Sequence, residues 1–363
     1  MPPPDAAIGA GAIEAVDVLL VSLGSTPGLR RADEALAASL RRAGASVAVA
    51  RARRPREVRT LMLTDLLWAH AARAAASPSP GRPVLAAPRA VIYSTTTAAM
   101  FWPGAGVIRF DAPAAATRPG RHGLWQRPLE RRRLRQAPLL LPWSEGGLSE
   151  AAAIAPETAG RALVLPAPIE LDPGGGRSGG THGSGGERDI AAITYAGNPR
   201  KKGFDRVLAA WRRVRRPGER LHVVGVGPAQ LHEAGFGVLE PDICVAGSLP
   251  AADLRERLGR ARVFLCAPRR EDYGLVQLEA LAAGCQLVTA PAPGPYAALP
   301  IARALDPRLV GEDLASALRA ALDAPRPGYD EAARRLLEPF GTAAVDRLVA
   351  ERLLPRLLAP APA

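Results

Sequence analysis

Apolar and polar positions alternate along this chain in short blocks whose period keeps switching between that of a strand and that of a helix. Residues 16–23 form a nearly continuous apolar run, which predicts a strand buried on both faces. Over 31–42 the period lengthens, with Leu36 and Leu40 one turn apart, so this stretch predicts an amphipathic helix. Strands follow at 47–51, 90–93, 106–110, 138–141 and 162–165, each bounded by Pro, Gly, Ser or Asp. A second series begins with strand 190–195, helix 204–213 and strand 221–224. It continues with strand 243–245, helix 251–258, strand 263–266, helix 275–282 and strand 286–289. Short strands separated by helices of this length predict parallel sheets with right-handed crossovers. The fold class expected is therefore α/β, with one such sheet in each half.

Between the series lies the run DPGGGRSGGTHGSGGERD over 172–189, in which nothing can pack. It reads as a flexible linker or surface loop, and its His182 is assigned no role. A chain of 363 residues is too long for one ordinary core. The expected division is an N-terminal domain over 1–171, the linker over 172–189, and a C-terminal domain over 190–341. The last helical stretch, 342–358, is expected to cross back onto the first domain. Ligands of open α/β sheets bind beyond the carboxyl ends of the strands, so a deep cleft between two facing domains is the expected site.

Composition narrows the setting. With 48% hydrophobic and 23% charged residues the chain reads as a folded globular protein. Cys244, Cys266 and Cys285 have no paired spacing and read as small buried residues of a reducing compartment. No stretch reaches the roughly 20 apolar residues that span a bilayer, and the first residues lack a secretory pattern, so a cytoplasmic location is expected. The formal charge is +12, but lysine occurs only at 201 and 202, so arginine supplies nearly all of the basic side chains. Arginines cluster over 51–59 and 127–135. A solvated basic surface is the first reading, and peripheral contact with an anionic membrane face is the second. Nucleic acid ranks last, because aromatics are only 4% of the chain and no nucleic-acid motif is present.

The segment that carries chemistry is Glu271-Asp-Tyr-Gly-Leu-Val-Gln-Leu-Glu279, followed by Ala280-Leu-Ala-Ala-Gly284. It follows a predicted strand and opens a predicted helix. Gly274 allows close backbone approach to a ligand, and the free N–H groups after it make an anion site. Glu271 lies at the mouth of that site and Glu279 about one turn inside the helix. A carboxylate accepts two hydrogen bonds at once and so suits a vicinal diol.

These residues and their surroundings resemble family 4 glycosyltransferases of the GT-B fold. Glu271 and Glu279 match that family's E-x7-E signature. Four further segments match in order: Tyr195-Ala-Gly-Asn-Pro-Arg-Lys-Lys-Gly203, Val223-Val-Gly-Val-Gly-Pro228, Val245-Ala-Gly-Ser-Leu-Pro250 and Ala261-Arg-Val-Phe-Leu-Cys-Ala-Pro268. The likeness covers about 190–295. In the first half, Leu20-Val-Ser-Leu-Gly-Ser-Thr-Pro-Gly28 resembles the family's opening strand and glycine loop more loosely.

The resemblance implies two facing Rossmann-like domains, an acceptor side in the first and a nucleotide-sugar site in the second. It implies a hexosyl transfer from a nucleotide-diphosphate sugar, with retention, no cofactor and no metal ion. Glu279 would hold the ribose, Glu271 the transferred sugar, and the N–H groups near Gly274 and Leu275 the sugar or distal phosphate. Lys202 would neutralise the departing diphosphate. In a chain that otherwise uses arginine, two adjacent lysines suit a site needing a compact point charge. Gly197 would let its loop approach the donor, and Gly28 would let its loop approach donor phosphate or acceptor. The sequence departs from the family at Asn198, where an arginine is usual, and Arg200 or Lys201 are the substitutes within reach in the same loop. The place of the family's histidine falls near Arg109-Phe-Asp111, which makes Asp111 the candidate to contact sugar or acceptor and His122 the alternative. Closure of the two domains is expected to expel water from the reaction. No Asp-x-Asp, HExxH or P-loop pattern occurs. The sequence leaves the nucleotide base, the sugar and the acceptor open, and a non-catalytic nucleotide-sugar-binding protein of the same fold stands as the rival reading.

Overall fold

The computed structural model describes residues 16–56, 58, 60–77, 87–118, 120–171 and 188–359. Residues 172–187 of the glycine- and serine-rich run, with His182, lie outside the described residues.

The chain forms two compact units. One takes in the described residues of Met1–Leu141, Ala151–Leu163 and Asp346–Ala363, and the other Pro142–Glu150 and Val164–Val345. The first is built on β1 (Val18–Ser22), β2 (Val47–Arg51), β3 (Ala90–Tyr93), β4 (Val107–Phe110) and β5 (Leu140–Pro142), in the order β2-β1-β3-β4-β5. Around this sheet run α1 (Pro27–Arg42), α2 (Leu61–Ala76), α3 (Thr96–Ala99), α4 (Ala114–Thr117), α5 (Gln126–Gln136) and α6 (Glu145–Ile154). The expected helix over 31–42 begins earlier because Thr26 accepts a hydrogen bond from Leu29 N–H and Pro27 opens the first turn. Its Leu36 and Leu40 are buried on the sheet. The stretch 162–165 is not a strand; it contributes one isolated parallel bridge, Leu140 to Ala162.

The second unit places β6 (Ile190–Tyr195), β7 (Leu221–Val224), β8 (Ile243–Val245), β9 (Ala261–Cys266) and β10 (Gln286–Thr289) in the order β10-β9-β6-β7-β8. Within it lie α7 (Phe204–Val214), α8 (Pro228–Glu233), α9 (Ala251–Arg260) and α10 (Leu275–Ala282). They are followed by α11 (Ala298–Leu305), α12 (Leu314–Asp323) and α13 (Tyr329–Leu337). β6 and β9, parallel neighbours at the centre of this sheet, carry buried side chains at nearly every position, as strands covered on both faces do.

The C-terminal stretch is helical from α14 (Thr342–Leu348) through a π turn over Val349–Leu353 into α15 (Leu354–Leu358). Pro355 has no N–H to give its preceding turn, and the widened turn falls just before it. From Asp346 onward this stretch belongs to the first unit. There Arg42 donates from Nε and Nη2 to the two carboxylate oxygens of Asp346, at 2.7 and 2.8 Å. Among the described residues no helix is long and apolar enough to cross a membrane.

Candidate functional site

The second sheet reverses its chain order between β6 and β9, because β6 is followed outward by β7 while β9 is followed by β10 on the other side. In open α/β sheets ligands bind beyond the carboxyl ends of the strands at such a reversal. The loops concerned are 196–203 after β6 and 267–274 after β9.

The first loop is a tight turn. Asn198 accepts twice, from Lys201 N–H through Oδ1 at 3.1 Å and from Lys202 N–H through its carbonyl at 2.8 Å. Gly203 ends the turn with φ of 62° and caps α7. The second loop is tied to the first by Arg269 N–H, which donates to the Lys201 carbonyl at 2.9 Å. It is tied to the segment after β10 by Glu271 N–H, which donates to the Pro293 carbonyl at 3.1 Å. Gly274 has φ of 88° and lies against the Tyr296 ring, where a Cβ would come to 2.9 Å. This left-handed residue turns the chain into α10.

On this scaffold the side chains converge. Lys202 Nζ donates to Glu271 Oε2 at 2.6 Å, and Gln277 Nε2 donates to the same oxygen at 2.8 Å. Glu271 is only 5% exposed, and these two donors satisfy its Oε2. Beside this cluster Lys201 Nζ bonds Asp272, which also accepts from Arg270 Nε at 2.8 Å. Arg270 in turn donates through Nη2 to both oxygens of Glu150 at 2.9 Å. Burial would push the Asp272 carboxyl up, but the Lys201 and Arg270 charges outweigh it and hold it below the ordinary carboxylate value. Tyr273 stands edge-on to Trp143 at 5.2 Å between ring centres and donates to the Ala167 carbonyl at 3.2 Å.

The tip of α10 has no side-chain cap and no acidic residue in its first turn. Gln277 occupies the third helical position, from which a glutamine often reaches back to the cap residue's N–H. Here it reaches Glu271 instead. The tip thus keeps its N–H groups and its positive end of the helix dipole, a setting for an anion.

The structure brings Lys202 and Glu271 into contact and sets Gly274 and Leu275 at the tip of the same helix. Glu279 lies partly exposed within α10. Gly197 is exposed and lies over Tyr195, whose hydroxyl a Cβ would meet at 2.5 Å. Arg200 is exposed, and Asn198 spends its side-chain oxygen on the turn. Asp111 and Gly28 belong to the other unit. Asp111 follows β4 and accepts from Ala112 N–H at 2.8 Å. The next helix, α4, is held by Glu130, whose carboxylate accepts from Ala114 and Ala115 N–H at 2.6 and 2.7 Å. Gly28 is the second residue of α1, and the left-handed glycine of that loop is Gly24, with φ of 57°. His122 falls in a 3₁₀ turn over Gly120–Gly123. Sequence reasoning missed Gln277, Asp272 and Arg270. All three stand in or next to the motif already singled out, and the signal for Gln277 was an amide on an otherwise apolar helix face. Among the described residues no group of three His, Cys, Asp or Glu could hold a metal ion.

Residues 190–323 match the family model of the group 1 glycosyl transferases, a stretch that runs from β6 through α12. No curated protein matches the chain. The structure resembles that of WaaG, a glycosyltransferase involved in lipopolysaccharide biosynthesis, at 17% identity and a TM-score of 0.67, covering 93% of this chain and 99% of that one. It also resembles sucrose-phosphate synthase from Thermosynechococcus elongatus, at 15% identity and a TM-score of 0.66, over 91% and 96% of the two chains. A third likeness is Alr3699/HepE of Anabaena in complex with UDP and glucose, at 13% identity and a TM-score of 0.60, over 93% and 99%. The fold is GT-B. Its two parallel five-stranded sheets differ in strand order, 2-1-3-4-5 in the first unit and the Rossmann order in the second.

Proposed function

We propose that this protein is a glycosyltransferase of the family 4 type, moving a hexosyl group from a nucleotide-diphosphate sugar to an acceptor, with retention and without a metal ion. The observation that carries this reading is the meeting of Lys202, Glu271 and the uncapped tip of α10 beside the β6/β9 reversal, inside the segment matched by the group 1 glycosyl transferase model. Support comes from neighbours of the same fold: the Anabaena protein is described with UDP and glucose, and a trehalose-phosphate synthase from Burkholderia xenovorans as UDP-forming with glucose-6-phosphate.

In this reading Glu279 holds the ribose and Glu271 the sugar hydroxyls. Breaking the sugar–phosphate bond sends negative charge onto the diphosphate. The Lys202 ammonium and the N–H groups at Gly274 and Leu275 are fixed where that charge grows, so they stabilise the transition state more than the bound donor. The acceptor hydroxyl attacks from the face that the leaving group vacates, and a phosphate oxygen takes its proton. The protein acts in the cytoplasm, and its arginine-rich stretches suit a peripheral position on an anionic membrane face.

The rival reading, binding without transfer, is favoured by one observation. Asn198 stands where an arginine is usual and turns its side chain to the backbone, while Lys201 is already paired with Asp272. That leaves, in this loop, Arg200 and the Lys202 that is itself paired with Glu271 as the cations for a diphosphate. A thermal-shift screen against nucleotide diphosphates and their sugars, followed by assay of sugar release, separates the two. A ligand near 100 times its Kd adds about 2.7 kcal/mol of stability. Stabilisation with turnover supports the transferase, stabilisation without turnover supports the binder, and no stabilisation by any nucleotide refutes both.

A further inference from the structure

Gln277 lies in the third position of α10, is 3% exposed, and donates its amide hydrogen to Glu271 Oε2 at 2.8 Å. A buried glutamine amide must be satisfied, and an apolar residue would serve packing at this place more cheaply. Its neighbours along the helix, Leu278, Ala280 and Leu281, are buried and apolar. What distinguishes position 277 is the carboxylate above it. Lys202 and Gln277 both converge on Oε2, from the loop after β6 and from α10 respectively. Glu271 Oε1 takes no hydrogen bond from the described residues. One oxygen is therefore pinned from two sides while the other is left to a ligand.

We infer that Gln277 is a positioning residue: it fixes the rotation of the Glu271 carboxylate so that Oε1 is presented to the sugar hydroxyls even when Lys202 turns to the diphosphate. This rests on the transferase reading of the site. An ammonium cannot hold Glu271 and neutralise a leaving group with equal strength, so the neutral amide supplies a hold that does not compete for the charge. Loss of a hydrogen bond to a charged group weakens its interaction by about ten- to a hundredfold.

The test uses the full chain and a panel of UDP-, GDP- and ADP-glucose with the bare diphosphates as controls. In Gln277→Leu, turnover of the sugar nucleotide falls by about ten- to a hundredfold, affinity for the bare diphosphate stays within about twofold, and the melting temperature confirms a folded protein. Gln277→Met repeats the measurement where the leucine variant does not fold. Gln277→Glu sets two carboxylates together, which share a proton as pH falls. That variant is inactive at neutral pH and regains turnover in acid, when its protonated carboxyl donates as the amide did. A packing role would not produce this recovery. Turnover in Gln277→Leu equal to the parent, or Gln277→Glu activity with the parent's pH profile, overturns the inference and leaves the transferase reading standing. A parent protein that binds no member of the panel overturns both.

Discussion

A Cβ on Gly203 would come within 1.9 Å of the Ala267 carbonyl oxygen, so the loop after β6 touches the end of β9 backbone against backbone. This contact sets the height of Lys202, the residue just before, relative to Glu271. Gly203 also has a left-handed backbone, with φ of 62°. Replacing it by alanine therefore costs twice, about 1–3 kcal/mol for the conformation and more for the displaced strand end. Gly218→Ala serves as the control, since Gly218 has φ of 85° with open space around it. Urea denaturation should show Gly203→Ala losing clearly more stability than Gly218→Ala. Equal losses would mean that the two loops are not in close contact.

Lys202 and Glu271 should fail differently when changed. Glu271→Gln keeps the shape and still accepts a hydrogen bond. Lys202→Ala leaves a carboxylate that is only 5% exposed with one donor, Gln277. Losing half of a buried pair is costly, though the 21% exposure of the Lys202 side chain reduces the penalty. Lys202→Ala should therefore melt at a lower temperature than Glu271→Gln. Both should abolish transfer, Lys202→Ala because a lost leaving-group cation is worth about 2.7–4 kcal/mol in the transition state, and Glu271→Gln because the carboxylate assigned to the sugar hydroxyls is gone. Full turnover in either variant removes the role assigned to that residue.

Most strands were legible because their apolar runs are short and sharply bounded; 47–51, 90–93, 190–195 and 286–289 coincide with β2, β3, β6 and β10. The helix over Leu61–Ala76 was not, since leucine and alanine cover nearly its whole circumference and blur the helical period. The stretch 162–165 has strand composition but lies at the sheet edge with a single bridge, a matter of pairing that composition does not encode. At the site, the two glutamates and the adjacent lysines stood out by spacing and by the rarity of lysine. The chain Lys201–Asp272–Arg270–Glu150 did not, because it joins residues up to 120 positions apart, and Gln277, six positions from Glu271, was passed over within an apolar helix.

Arg109 and Asp33 form an ion pair at 3.2 Å with side chains only 1% and 2% exposed, joined by Ser22 Oγ, which donates to Asp33 Oδ2 at 2.6 Å. The pair ties β4 to α1 beneath the first loop of the sheet. Burial pushes the Asp33 carboxyl above its ordinary value despite the Arg109 charge. Asp33→Ala removes this carboxylate from beside a buried guanidinium and should cost about 3–5 kcal/mol. Removing both, as Asp33→Ala with Arg109→Met, should recover part of that loss, because no charge then remains buried. A double-mutant cycle by denaturation measures the coupling; strictly additive losses would show that the two charges do not support one another.

His222 gives the fold a pH dependence near neutrality. It lies on β7, partly buried, with Arg257 Nη1 3.2 Å from its Nδ1. Burial first, and then the charges of Arg257 and Arg260, lower its pKa below the ordinary 6.5, against the weaker pull of Asp189. The unfolded chain thus takes up a proton at this histidine before the folded one does. Stability linked to His222 is complete above the unfolded value and is lost as pH falls from there toward the folded value. His222→Gln removes the titration. The parent should lose stability relative to that variant as pH falls below about 6.5, measured as the change in urea midpoint at each pH. A difference between the two proteins that stays constant across this range would show that His222 titrates alike in the folded and unfolded chains.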